Sequence, residues 1–271
     1  MLKDNKLAIL NAYNFFKRNS SLLLALIILI SVVSSINIFL GYILLMLLVG
    51  SIIFYIRDNE LLDDIRRKKL LTINNLKRYI KYGFFFSILY IFFQIVISVL
   101  VLFTAVIITI LFYSGASKDG FTSFDLGLTF LFSLILASII IFIILSPFYF
   151  LLPVYINLIL SSAYPLEILK VNIKLFSKNF WVGVLSLVKI KYFVITTLFW
   201  TILSILIFVL AVIVSYILDR ILTLILGYIP IPFYISYKLT ALVETFIIFS
   251  TIVFLFVYLV YISHYIKLKT G

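Results

Sequence analysis

Apolar positions in this chain come in long runs. Residues 22–56 and 83–113 each exceed the roughly 20 residues that carry a helix across a bilayer. Hydrocarbon holds no water to satisfy backbone N–H and C=O groups, so such runs form helices or a closed barrel. The period-two alternation of a barrel strand is missing. The pattern predicts an all-α, polytopic membrane protein with about six transmembrane helices and amphipathic cytoplasmic helices between spans. The chain reads as a single integral-membrane domain, 1–271, with spans at about 22–36, 38–56, 83–113, 126–152, 192–218 and 240–264.

The first two spans share one run of apolar sequence. At about 1.5 Å per residue, residues 22–56 reach about 52 Å, against a hydrocarbon core about 30 Å thick. Ser34-Ser35-Ile36-Asn37 marks a turn near the far side. Two short spans or a re-entrant hairpin both satisfy that geometry. Before them, Leu7, Leu10, Tyr13 and Phe16 give residues 1–20 one apolar helical face among Lys3, Lys6, Lys17 and Arg18, as in a helix lying in the interface. The run from Leu22 to Val33 imitates a secretory signal, but its charged lead-in is long and a second apolar run follows at once, so an uncleaved first span is expected.

Polar sequence fills the gaps. Residues 57–82 place Asp58, Glu60, Asp63 and Asp64 ahead of Arg66, Arg67, Lys68 and Lys69. Asp63–Arg67 and Asp64–Lys68 fall at i,i+4 in the favourable order. This segment reads as a solvated cytoplasmic helix, with contact to anionic lipid or an acidic partner as the functional alternative. Ser114 to Gly120 makes a loop. Residues 221–235, with Gly227, Pro230 and Pro232, form a poor continuous span and are placed as an interfacial or partly re-entrant piece.

Basic residues then set the threading. With the N-terminus inside, the inner segments hold 19 Lys/Arg and the outer ones 3: Lys118, Arg220 and Lys238. That split predicts both termini in the cytoplasm of a multi-pass cell-membrane protein. Tyr55, Tyr82, Tyr113, Trp181, Tyr192, Tyr216 and Tyr265 lie near span ends, as an aromatic belt requires. Composition agrees, with 65% hydrophobic and 12% charged residues and a mean hydropathy of +1.29. The net charge of +12 sits beside spans, so lipid is the expected partner and nucleic acid is not.

Within the fourth span, Pro147 and Pro153 free the carbonyls of Ile143 and Tyr149. Those carbonyls need a partner, either Ser146 in a packed kink or the wall of a cavity, as in broken transporter helices. Beyond Pro165, one helical face carries Leu166, Leu169, Ile173, Phe176 and Phe180, and the other carries Glu167, Lys170, Lys174 and Lys178. A helix along the inner membrane surface is expected there, with the lysines toward lipid phosphate or a partner.

Pro165-Leu166-Glu167-Ile168-Leu169-Lys170, followed by Leu175-Phe176-Ser177-Lys178-Asn179-Phe180-Trp181, resembles the central motif of poorly characterised prokaryotic six-helix membrane families. One is the membrane domain attached to some glycerophosphoryl diester phosphodiesterases. The resemblance covers about 35 of the 271 residues and implies a proline-bearing span leading into a cytoplasmic helix. The glycine usual between the lysine and asparagine is missing here, since Lys178 meets Asn179 directly. No phosphodiesterase activity is expected, because a soluble catalytic domain is not part of the sequence.

Catalytic constellations are not found. There is no cysteine, His264 is the single histidine with no acid within a helical turn, and neither Gly-x-Ser-x-Gly nor a P-loop occurs. Glu244 is the one intramembrane acid, a proton relay or, more simply, a partner of Arg220 or Lys238. The expected protein is non-enzymatic and carries no cofactor or metal. One reading is a transport or permease-like component, with Gln94, Ser146, Pro147, Pro153 and Glu244 about a cavity. The other is a membrane scaffold or accessory subunit that binds anionic lipid or another membrane subunit through its basic helices.

Overall fold

The computed structural model describes residues 2–61, 70–116, 156, 159–175, 178, 187–226 and 233–270. Among these residues there is no strand, as the unbroken apolar runs predict. The helices are α1 (Leu2–Arg18), α2 (Ser20–Ile36), α3 (Ile38–Ile56), α4 (Ile73–Ala116), α5 (Glu167–Leu175), α6 (Leu187–Leu226) and α7 (Phe233–Thr270). A π-helical turn, Arg57–Leu61, extends α3.

Local chemistry explains the breaks. Asn37 ends α2 and caps α3, its Oδ1 accepting the Leu40 amide at 3.0 Å. Ser34, Ser35 and Ile36 stay in α2, so the break is Asn37 alone, and α2 and α3 pack against each other. Gly41 allows the close approach, because a Cβ there would lie 2.4 Å from Ser34 Cβ. Asn19 separates α1 from α2, which meet at 83°. Thr72 opens α4, its Oγ1 accepting the Asn75 amide at 3.2 Å. The helix therefore begins ten residues before the predicted span, taking in Lys77, Arg78 and Lys81, all exposed.

Helix α7 is the centre of the larger unit and packs against α1, α2, α3 and α6. Residues 255–263 are buried all round, as befits a helix surrounded by others. The end of α3, residues 48–56, is equally enclosed. Gly50 and Gly83 let α3 and α4 touch, since a Cβ on Gly50 would come 2.9 Å from Gly83 Cα. Such small-residue crossings suit lipid, where tails are as apolar as leucine and association depends on close packing and interhelical hydrogen bonds.

Two parts of the sequence reading are revised. The helix of the span placed at about 192–218 does not end there, because α6 continues through Asp219–Arg220 to Leu226. Arg220 is tolerated on the helix because Tyr216, one turn earlier, takes it: Nε donates to the phenol oxygen at 3.2 Å and the guanidinium lies 5.4 Å from the ring centroid. The second revision concerns the aromatic belt. Tyr55 is fully buried, with ring centroids 6.4 Å from Phe15 and 6.0 Å from Tyr79. Helix-to-helix packing claims this tyrosine instead of the lipid boundary.

Two helical stretches are long and apolar enough to cross a membrane, Ile38–Leu61 and Ala241–Leu268, and the bent pair α1–α2 makes a third if it forms one span. Among the described residues the elements are thus all helices, with membrane-crossing capacity, which points to membrane association. Its contacts divide it into two units, Met1–Ile88 with Pro153–Gly271, and Leu89–Leu152. In the second unit the described part is the continuation of α4 to Ala116, with Phe92, Ile95, Val99, Leu102 and Val106 exposed.

Candidate functional site

The polar groups of the larger unit gather where α3 and α7 end. Arg18, last in α1, pairs with Glu60 in the π-helical turn, and the Tyr261 hydroxyl donates to the other carboxylate oxygen. Glu60 is 1% exposed at its side chain and Arg18 23%. Three elements are thereby tied through one buried carboxylate.

The same face of α7 holds α1 at two more points. Tyr258 donates to Asn5 Oδ1 at 2.5 Å, and Asn11 Nδ2 donates to the Tyr265 hydroxyl at 2.6 Å. Asp4, Asn5, Ala8, Ala12 and Phe15 form the buried face of α1. Leu7, Leu10 and Tyr13, the stripe expected from periodicity, are exposed at 38%, 51% and 55%. The polar and small side therefore meets protein. Phe16, the fourth residue of that stripe, is half-buried and packs 5.5 Å from the Phe254 ring centroid, so the stripe is exposed only in its first three members. Asn19 extends the network by accepting the Leu71 amide at 2.8 Å on its Oδ1.

Beside this network lies a cleft of ≈ 310 Å³ lined by Arg57, Leu61, Leu160, Ser161, Ser162, Ala163, His264 and Lys267. Arg57 anchors it. Its Nη1 donates to the Ser162 carbonyl at 2.6 Å and its Nε to Asp58 Oδ1 at 2.6 Å. Its guanidinium stacks 4.6 Å from the Phe54 ring centroid and 5.5 Å from that of Tyr82. Tyr82 in turn donates to the Ala163 carbonyl at 3.0 Å. Residues 160–163 are thus clamped against α3 and α4 through their carbonyls.

That clamp positions α5. Glu167 folds back so that Oε2 accepts the amides of Ala163, at 2.8 Å, and Tyr164, at 3.4 Å, as a capping-box carboxylate does. Pro165 lies in the tight turn just before the helix, and Ile168 and Val171 are fully buried. Leu166 is 64% exposed, while Lys170 projects outward. The helix docks through Ile168 and Val171; of the predicted face, Leu166 is exposed and Leu169 half-buried, and the side chains of Ile173, Phe176 and Phe180 lie outside the description.

Few of the sequence-predicted residues are described with their side chains. Lys170 and Lys178 are exposed, and Glu244 is exposed on α7. Gln94 lies in α4 and Lys174 in α5 by backbone, their side chains outside the description. Arg66, Arg67, Lys68, Lys69, Ser146, Pro147 and Pro153 lie outside the described residues. The structure instead assembles Arg57, Ser162, His264 and Lys267, which sequence reasoning had counted only as flanking charges or had passed over. The available signal was the tyrosine series 258, 261, 265, whose i, i+3, i+7 spacing puts three hydroxyls on one side of an apolar helix.

Tyr79, outside the predicted spans, is a perturbed titrating group. Burial first, and then the charge of Asp58, raise its phenol above the ordinary value. Asn59 Nδ2 donates to that phenol at 3.1 Å.

Among the described residues no cluster of His, Cys, Asp and Glu is suited to a metal ion. No family model, curated protein or solved structure matches the chain. The class defined by its elements is a helical, membrane-associated protein with a braced polar end.

Proposed function

We propose that this protein is a membrane scaffold or accessory subunit that presents a braced, basic cytoplasmic face to anionic lipid or to another membrane subunit. The observation that carries this reading is the Arg18–Glu60–Tyr261 connection, which fixes α1, the end of α3 and α7 together at one end of the larger unit. A pump or permease must rearrange its elements, whereas a platform benefits from locking them. Six crossings with both termini in the cytoplasm of a prokaryotic cell belong to the same proposal, supported by the 19-to-3 division of Lys and Arg. So does kinship with the six-helix families that residues 165–181 resemble. The permease-like alternative draws on Gln94, Pro147 and Pro153 and gains no support from the described side chains.

Photo-crosslinking residues at 170 and 205 test the scaffold reading. Lys170 projects from α5, and Ile205 is 57% exposed on α6. A discrete protein adduct at 170, with lipid adducts at 205, is expected in native membranes. Obtaining neither a protein adduct nor an anionic-lipid adduct at 170 would overturn the reading.

A further inference from the structure

We propose that the cleft between the π-helical turn, residues 160–163 and the end of α7 is a binding site for the phosphate of an anionic phospholipid headgroup. Three observations converge on it. Arg57 is fixed by two hydrogen bonds through Nε and Nη1, which leaves Nη2 for a further acceptor. Lys267 lines the same cleft and is exposed, and His264 adds an imidazole one turn away on α7. Ser162 is 2% exposed, and its Oγ has no hydrogen-bond partner among the described residues. A buried hydroxyl without a partner costs about 1–3 kcal/mol, so an acceptor oxygen arriving in this cleft would relieve it.

The sign of the site follows from its lining. Asp58 already spends one oxygen on Arg57, and Glu167 is turned toward the amides of Ala163 and Tyr164. The described lining holds two basic residues, Arg57 and Lys267, and no carboxylate, which suits an anion. A space of ≈ 310 Å³ takes a phosphate diester and a small polar head. Its level also fits lipid, because both membrane-capable helices end beside it, at Leu61 and Leu268. Headgroup phosphates occupy the layer just outside the hydrocarbon.

The site rests on the preceding reading for its side of the membrane, but not for its chemistry. The full chain in neutral detergent micelles, titrated with phosphatidylglycerol, phosphatidylcholine or inorganic phosphate and followed by native mass spectrometry, tests it without reference to sidedness or partners. Phosphatidylglycerol should be retained in preference to phosphatidylcholine. Lys267→Gln should weaken that retention about fivefold. Ser162→Ala should weaken it less, and Lys3→Gln, at an exposed position of α1, should leave it unchanged. Equal retention by Lys267→Gln, or equal weakening by Lys3→Gln, would overturn the site. Saturable binding of inorganic phosphate without any phosphatidylglycerol preference would make the occupant a free anion and overturn the lipid assignment. Because micelles hold no partner protein, failure here leaves the scaffold reading standing, and failure of the crosslink leaves this site standing.

Discussion

Replacing Glu60 with alanine should loosen the end of the bundle where α1, α3 and α7 meet. The carboxylate is buried at 1% exposure and serves two donors, Arg18 and Tyr261. Removing it strands a guanidinium whose Nε already has no partner among the described residues. Breaking a buried ion pair from one side costs about 3–5 kcal/mol. Arg18 remains 23% exposed at its side chain, so water offsets part of that loss. The expected loss is therefore near the lower end, about 3 kcal/mol. Glu60→Gln keeps an acceptor for Tyr261 and removes the charge, and should cost about 1–2 kcal/mol. Denaturant titration in micelles, followed by near-ultraviolet circular dichroism, measures both. A double-mutant cycle with Arg18→Ala should show a coupling of about 1–3 kcal/mol. Additive single changes, or a Glu60→Ala protein within about 0.5 kcal/mol of the parent, would mean that the carboxylate does not join these elements.

Two further outcomes follow from the packing and from the perturbed phenol of Tyr79. Gly83→Ala would set a Cβ 2.3 Å from both Leu47 O and Ser51 Oγ, and the carbonyl cannot step aside. It should destabilise by about 1–3 kcal/mol in the same titration, whereas an uncrowded helical glycine would gain about 1 kcal/mol. Tyr79 has its phenol raised above the ordinary value by burial and by Asp58, so its neutral form is the one the fold favours. Its contribution is full below the unfolded value of about 10 and is lost as pH rises through the higher folded value. Tyr79→Phe should flatten the stability-versus-pH curve above about pH 10, and an unchanged curve would assign the alkaline loss to other groups.

Hydrophobic length and punctuation were enough to read the helical class and several boundaries. The runs predict helices because hydrocarbon leaves the backbone little choice. The break at Asn37 was visible because a polar turn interrupts otherwise continuous apolar sequence, and its side chain then caps the next helix. Periodicity also found the apolar stripes of α1 and α5. What it did not reveal was which side meets protein. The side of α1 that meets protein carries Asn5, Ala8, Ala12 and Phe15, because Asn5 and Asn11 find phenols on α7 and the small residues let the helices approach, while Leu7, Leu10 and Tyr13 stay exposed. The candidate site was hidden for a related reason. Arg57 and Ser162 are 105 residues apart, and Tyr261 lies 201 residues from Glu60. No local pattern encodes pairings at that separation. Sequence determined that these segments are helices of membrane-crossing character, whereas the tertiary structure decided which polar side chains leave water together, because each of them needs a partner that only the folded arrangement brings within reach.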